Sequence, residues 1–364
     1  MQTQQQEQQG ERSHLKMYGA SFKSPESARC YSYNLKKYAN NDLESLLKLS
    51  QREAEDKLIH FIITSKEQGV SWGKLHNTVA AVSKFYLIND TSLNMNRVKR
   101  FMPEQVKLKK DRGYETEEVS KVLELATERI RALVLLLYSS GCRLGGVVGL
   151  KMGDLEDRDD IYKITVYANT KSEYVTYVTP EGKQALTTYF NIRKMHGEDI
   201  GNANHPVIRE QYNKDSPLSV KYPKFTSKAS LNRVLDEILQ RAGIRTRMQQ
   251  VENTRPSLAL YKKDVALTSG FRKAFNTTLA NAAEGVNPLV KELLMGHHVG
   301  LEENYYRPQE PYIENEYRKA INALTIDPSQ RLQKKVDVLQ KRNDNLDRLL
   351  DRLDKLEKEI GIKI

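Results

Sequence analysis

The chain has 364 residues, with 58 Lys and Arg against 47 Asp and Glu, and a formal charge of +11. That length allows two or three domains, and 39% hydrophobic residues exclude wholesale disorder. Two cysteines, Cys30 and Cys142, exclude a disulfide framework or a Cys-rich zinc site. The longest apolar run, Ala132 to Tyr138, is far short of the ~18 residues of a membrane span. The start, MQTQQQEQQGERSH, lacks the apolar core of a signal peptide. A soluble cytoplasmic protein with no membrane role is expected. The positive balance suggests an anionic partner, of which nucleic acid is the commonest.

Residues 1–23 are Gln-rich and read as a disordered leader. From Ser24 the pattern turns helical: SPES offers a capping Ser, a Pro at the first helical position and a carboxylate in the first turn. Leu43, Leu46, Leu47 and Leu49 suggest a second helix, Leu58 to Ile63 a third, and Trp72 to Leu87 a fourth. Residues 24–96 thus form a small all-helical domain. The segment 97–113 follows as a basic linker; from Arg97 to Arg112 it holds seven basic residues against two acidic ones, and Pro103 breaks any helix. Such a run is either a solvated connector or a strap across a phosphate backbone, with Arg97, Lys99, Arg100, Lys107, Lys109 and Lys110 as its contacts.

A second domain, 114–326, opens at Tyr114 with an acidic first helical turn, TEEVSKVLELA. Ile130 to Tyr138 is apolar nearly all round, the mark of a buried helix. The runs IYKITVY and EYVTYVT, joined by ANTKS, predict a hairpin. Helical patterns resume at Leu186, Leu231 to Leu239 and Phe271 to Ala283. The fold class is mainly α with a small antiparallel β-sheet. In the tail, 327–364, Leu332, Leu339, Leu346, Leu353 and Ile360 recur every seven residues, with Val336, Asn343, Leu350 and Glu357 at the companion position. That heptad seam predicts a coiled-coil helix, and a single inner Asn favours a parallel two-stranded pair; a lone amphipathic helix folded back on the body is the alternative.

Four stretches of the second domain carry chemistry. In SSGCRLGGVVGL, Arg143 follows a buried helix at once and needs an anionic partner, either a structural carboxylate such as Asp154 or a ligand. Lys171 sits at the hairpin turn, where a lysine is ordinarily just solvated. In TSGFRKAFNTTLA, Arg272 and Lys273 lie at the head of a helix, a position suited to phosphate. In LLMGHHVGLEENYYRPQ, His297 and His298 follow a helix stop, and Tyr305 and Tyr306 come later. No third ligand at sensible spacing accompanies the histidines, so no metal is expected.

The order Arg, hairpin Lys, Arg, His, Tyr resembles the tyrosine recombinases, the phage-integrase-type site-specific recombinases. SGCRLGGVVGL is similar to their first-arginine motif, TSGFRKAF to the second, and LLMGHHVG to the Leu-Gly-His motif that precedes the tyrosine. The likeness covers roughly residues 24–325, and the YYRP ending with a long tail is most like archaeal integrase-like proteins. The resemblance implies a two-domain architecture, a helical core-binding domain and a mixed catalytic domain. It implies cleavage and rejoining of double-stranded DNA through a covalent 3′-phosphotyrosyl intermediate, without metal, ATP or other cofactor. Arg143 and Arg272 would clamp the phosphate, Lys171 would protonate the leaving oxygen, and His297 would bond the phosphate. The tyrosine would attack it, Tyr306 by the commonest spacing and Tyr305 by the alternative. Lys273 would touch DNA. A homo-oligomer is implied, a tetramer on DNA, with pairing through the tail and a nucleoid-associated location.

Two positions depart from the family pattern. Ser269 stands where the second-arginine motif has His, which removes the usual base, and Gly146 stands where a carboxylate follows the first Arg. Both features favour a catalytically weak or inactive DNA-binding or architectural protein on the same fold. A type IB topoisomerase, which uses the same groups, is a third reading. The helix Tyr312 to Leu324 presents Ile313, Tyr317, Ile321 and Leu324 on one face, to dock either on a neighbouring protomer or on its own domain.

Overall fold

The computed structural model describes residues 14, 16–105, 112–245, 265–297, 299 and 308–360. They fall into two compact units, one within residues 14–105 and one from residue 112 onward.

In the first unit, α1 (Pro25–Tyr38) starts where Ser24 caps the chain and Pro25 fixes the first helical φ. A short α2 (Glu44–Leu47) leads to α3 (Gln51–Glu67), whose start is a reciprocal capping box between Ser50 and Glu53. The helix α4 (Trp72–Ile88) completes a core in which Leu35, Leu58, Ile62, Val82 and Phe85 are fully enclosed. The expectation of disorder up to residue 23 fails for the end of that stretch. Tyr18 is buried and its hydroxyl donates to the Ala81 carbonyl at 2.8 Å, while Phe22 packs edge-on against it. Two aromatic anchors outweigh the polar composition around them; residues 1–13 and 15 lie outside the described residues.

The basic stretch also differs from a plain strap. Arg97 lies in a short helix, α5 (Met95–Lys99), and its guanidinium is held by Glu55 at 3.0 Å and by Asp56. It serves its own unit as an ion-pair partner. Lys99 and Arg100 are exposed, and Lys107, Lys109 and Lys110 lie outside the described residues.

The second unit is mostly helical. After α6 (Thr116–Leu125) comes α7 (Glu128–Ser140), whose residues from Ala132 to Ser140 are all buried, as its all-round apolar pattern requires. A six-residue α8 (Leu144–Gly149) leads into a three-stranded antiparallel sheet in the order β1 (Leu155–Arg158), β2 (Ile161–Val166), β3 (Tyr174–Val178). The expected hairpin is present with Tyr162 opposite Val178 and Val166 opposite Tyr174. The edge strand β1, LEDR, is too short and too charged to show an alternating pattern. The helix α9 (Pro180–Met195) packs on α7, and α10 (Pro217–Lys221) and α11 (Lys228–Arg241) follow. Next come α12 (Ser269–Ala280), α13 (Pro288–Leu294) and α14 (Glu310–Leu324).

On α14, Tyr317, Ile321 and Leu324 are buried in this unit's own core, and the Tyr317 hydroxyl donates to Ser139 O at 2.9 Å. Its start is stapled to the sheet through Glu310, 2.6 Å from Lys163 and 2.5 Å from Arg158. The chain then runs as one helix of 33 residues, α15 (Pro328–Ile360). Its root is tied down: the buried Glu181 carboxylate accepts from Ile326 N at 2.7 Å and Asp327 N at 3.2 Å. No described helix is long and apolar enough to cross a membrane.

Candidate active site

The site residues come from four chain reversals. The helix α7 ends at Gly141, whose φ of 63° is the left-handed conformation that glycine adopts freely. A Cβ there would lie 2.3 Å from the Phe275 ring, so no other residue fits. Two residues on, Arg143 caps α8 in extended conformation, with its side chain exposed and no hydrogen bond or ion pair among the described residues. The carboxylate partner considered for it, Asp154, instead accepts from Lys151 N.

Arg272 lies in the first turn of α12 and is held from behind. It donates to Gly141 O at 2.6 Å and to Met295 O at 2.5 Å, both carbonyls at helix C-termini. Burial and the like charge of Arg143 lower its pKa from the usual guanidinium value. Keeping both groups charged side by side costs free energy that an anion between them would recover.

His297 is placed by the turn that ends α13. Its backbone N–H bonds Glu292 O at 3.0 Å and the Gly296 N–H bonds Leu293 O at 2.8 Å, with Gly296 at φ 61°. This is a Schellman motif, which sets the second residue after the helix beside the residue five positions earlier. The imidazole Nδ1 accordingly lies 2.6 Å from Glu292 Oε2, while Nε2 lies 2.7 Å from Arg272 Nη2. An arginine only donates, so Nε2 accepts and Nδ1 carries the proton given to Glu292. That bond holds the Glu292 carboxyl below the usual carboxylate range. Sequence reasoning missed Glu292, although a Gly directly before the His was a signal for the turn that brings them together.

Lys171 sits exposed at the tip of the β2–β3 connection. The turn is built by Thr170 Oγ1 donating to Tyr167 O at 2.7 Å and Asn169 N donating to Glu173 Oε2 at 2.6 Å. Ser269 opens α12, exposed beside Arg272.

These residues surround two adjoining clefts that share Arg143. One is lined by Arg143, Ser269, Arg272 and Lys273, with Cys142, Thr268 and Asn276. The other is lined by Arg143, Lys171 and His297, with Tyr167, Tyr174 and Glu173. Five residues scattered over about 150 positions of sequence therefore line two clefts joined at Arg143. Tyr305 and Tyr306, together with His298, lie outside the described residues. No cluster of three or more His, Cys, Asp or Glu suited to a metal occurs among the described residues.

Gly146 has a local cause. A Cβ at that position would sit 2.5 Å from Val166 Cγ1, so the packing of α8 on β2 crowds out the carboxylate that the resemblance would place there.

Comparison with known proteins agrees with the resemblance read from the sequence. No family model matches the chain. It is 26% identical over 178 residues to the tyrosine recombinase XerC of Thermodesulfovibrio yellowstonii, covering 45% of this chain and 58% of that protein. It is 22% identical over 310 residues to the tyrosine recombinase XerC of Leptospira interrogans, covering 82% of this chain and 88% of that one. Among solved structures, the Tn1549 transposon integrase in complex with transposon right end DNA superposes with a TM-score of 0.56 at 16% identity, over 84% of this chain and 98% of that one. The mostly helical architecture with its small antiparallel sheet is the tyrosine recombinase fold.

Proposed function

We propose, from the premise that this chain is of the tyrosine recombinase type, that it is a site-specific DNA strand transferase working without metal or ATP. The observation that carries the reading is the convergence of Arg143 and Arg272 on one cleft, with Ser269 beside them and Lys171 and His297 around the adjoining hollow. Phosphodiester transfer builds negative charge on the non-bridging oxygens, and two guanidiniums, that of Arg272 held from behind, neutralise it without a metal. A tyrosine hydroxyl, from Tyr306 or Tyr305, gives its proton to water, since Ser269 offers no base, and attacks phosphorus. The bond to the 5′ oxygen breaks, and that oxygen takes a proton from Lys171. The phosphotyrosine so formed keeps the ester energy for rejoining.

In the same reading the helical first unit is the core-binding domain, and Lys99 and Arg100, with Lys107, Lys109 and Lys110 of the basic linker, contact DNA. Arg97 contributes by shaping that surface, since Glu55 and Asp56 already neutralise it. Protomers assemble on DNA in the cytoplasm, as a tetramer for strand exchange, and the tail adds pairing between them.

The test is a nicked duplex carrying the site recovered by selection from genomic fragments. The expected result is a detergent-stable protein–DNA adduct that disappears when Tyr305 and Tyr306 are both changed to Phe. An adduct that survives in that double variant overturns the assignment. Ser269 in place of His favours a second reading, a DNA-binding protein on this fold with little or no chemistry. It predicts tight binding to the selected site and no adduct even with the nicked substrate.

A further inference from the structure

The helix α15 leaves the second unit with an apolar stripe that its own unit does not cover. Leu332, Val336, Leu346, Leu350 and Leu353 are between 46% and 63% exposed. They lie on the a and d positions of a heptad repeat, with Asn343 exposed at an a position among them. The sequence alone left open whether this face folds back on the body; the exposure shows that it does not. Solvating leucines along so long a helix is unfavourable, and a partner helix removes the cost.

We propose that α15 pairs with α15 of a second copy of this chain as a parallel, in-register, two-stranded coiled coil formed before DNA is bound. This deepens the pairing assigned to the tail above and stands apart from the strand-transfer chemistry. Three observations select a second copy in this arrangement. Val at an a position with Leu at the d positions is the combination that favours two strands. Asn343 meets its own counterpart only when two identical helices run parallel in register, so that the amides bond each other; any other alignment sets the amide against leucine.

The flanks make the third argument. Positions 335 and 342 of the g series are Lys and Arg, and positions 347 and 354 of the e series are Asp. In a parallel pair g faces the partner's e position five residues on, which sets 342 against 347, base against acid. An antiparallel pair would set the g-series bases against Leu349 and Leu356 and the e-series acids against Gln340 and Gln333, and would gain no such ion pair. The root of the helix is anchored by Glu181 and by Arg331, which donates to Thr325 O, so pairing joins two whole second units and not two loose tails.

The test uses the full chain without DNA. Sedimentation equilibrium at micromolar concentration is expected to give a dimer, and the exposed-face variant Leu346→Asp/Leu353→Asp a monomer with the thermal unfolding of the body unchanged. In a Cys30→Ser background, Val336→Cys is expected to yield a disulfide-linked dimer on mild oxidation, because position 336 meets 336 only in the parallel register. A monomeric full chain, a trimer or larger species, or a dimer that Val336→Cys cannot lock would each overturn the proposal. None of these outcomes bears on the phosphotyrosine test, which reads a different event.

Discussion

Glu198 shows how much a single buried charge can hold. Its carboxylate accepts from Arg193 Nε at 3.1 Å and lies 2.5 Å from Arg209 Nη1, and all three side chains are essentially without solvent contact. Burial alone would raise its pKa, but the two guanidiniums outweigh that and hold it below the usual carboxylate range. Replacing it with Gln leaves two enclosed positive charges without a counter-ion. Glu198→Gln is expected to lower the free energy of unfolding by about 3–5 kcal/mol, measured by urea denaturation. A loss below 1 kcal/mol, on the scale of an exposed pair, would show that water reaches the cluster. Nothing in the sequence marks Glu198, because it meets Arg193 of α9 and Arg209 only through the return of the chain after that helix. Arg143 and Arg272 were legible because each sits in a recognisable local motif. The carbonyls that aim Arg272 were not, since a backbone acceptor leaves no trace in residue identity.

Among the elements, the contact of α8 with β2 explains a departure that the sequence could only record. Restoring a carboxylate by Gly146→Asp forces atoms into the space of Val166. Overpacking of this kind is expected to cost about 1–3 kcal/mol, read as a fall in the denaturation midpoint. Combining it with Val166→Ala should recover most of the loss, and equal midpoints for the single and double variants would refute the steric cause. The helices were legible wherever a cap or a periodic face announced them, as at Ser24, Ser50 and the all-apolar α7. The strand β1 and the short α10 were not. Neither is long enough for a pattern, and each is fixed by a neighbour rather than by its own residues, Lys163 of β2 facing Glu156 in the first case.

For the whole molecule, the carboxylates held low set the response to acid. Glu198 is depressed by Arg193 and Arg209 against its burial, and Glu118 by its bond from Arg112. A carboxyl depressed in the fold contributes stability that is complete above its unfolded pKa of about 4.3 and is lost as pH falls through the lower folded value. Glu181 has the opposite sign, because burial raises it, so its share is present at low pH and lost as pH rises through the raised value. With the depressed groups in the majority, the free energy of unfolding is expected to fall steeply between about pH 4.5 and pH 3. Urea titrations across that range test it, and a flat profile would mean that the unfolded chain keeps the same ion pairs.

Arg272 carries one more implication. Its guanidinium is pinned between the last carbonyls of two helices, α7 and α13, so it acts as a rivet through the second unit as well as a face toward the hollow. Any oxyanion that settles in front of it has to share the five N–H donors that hold the joint behind it. Occupancy of the hollow and the spacing of those two helices are thereby a single variable: whatever loosens one must be felt by the other.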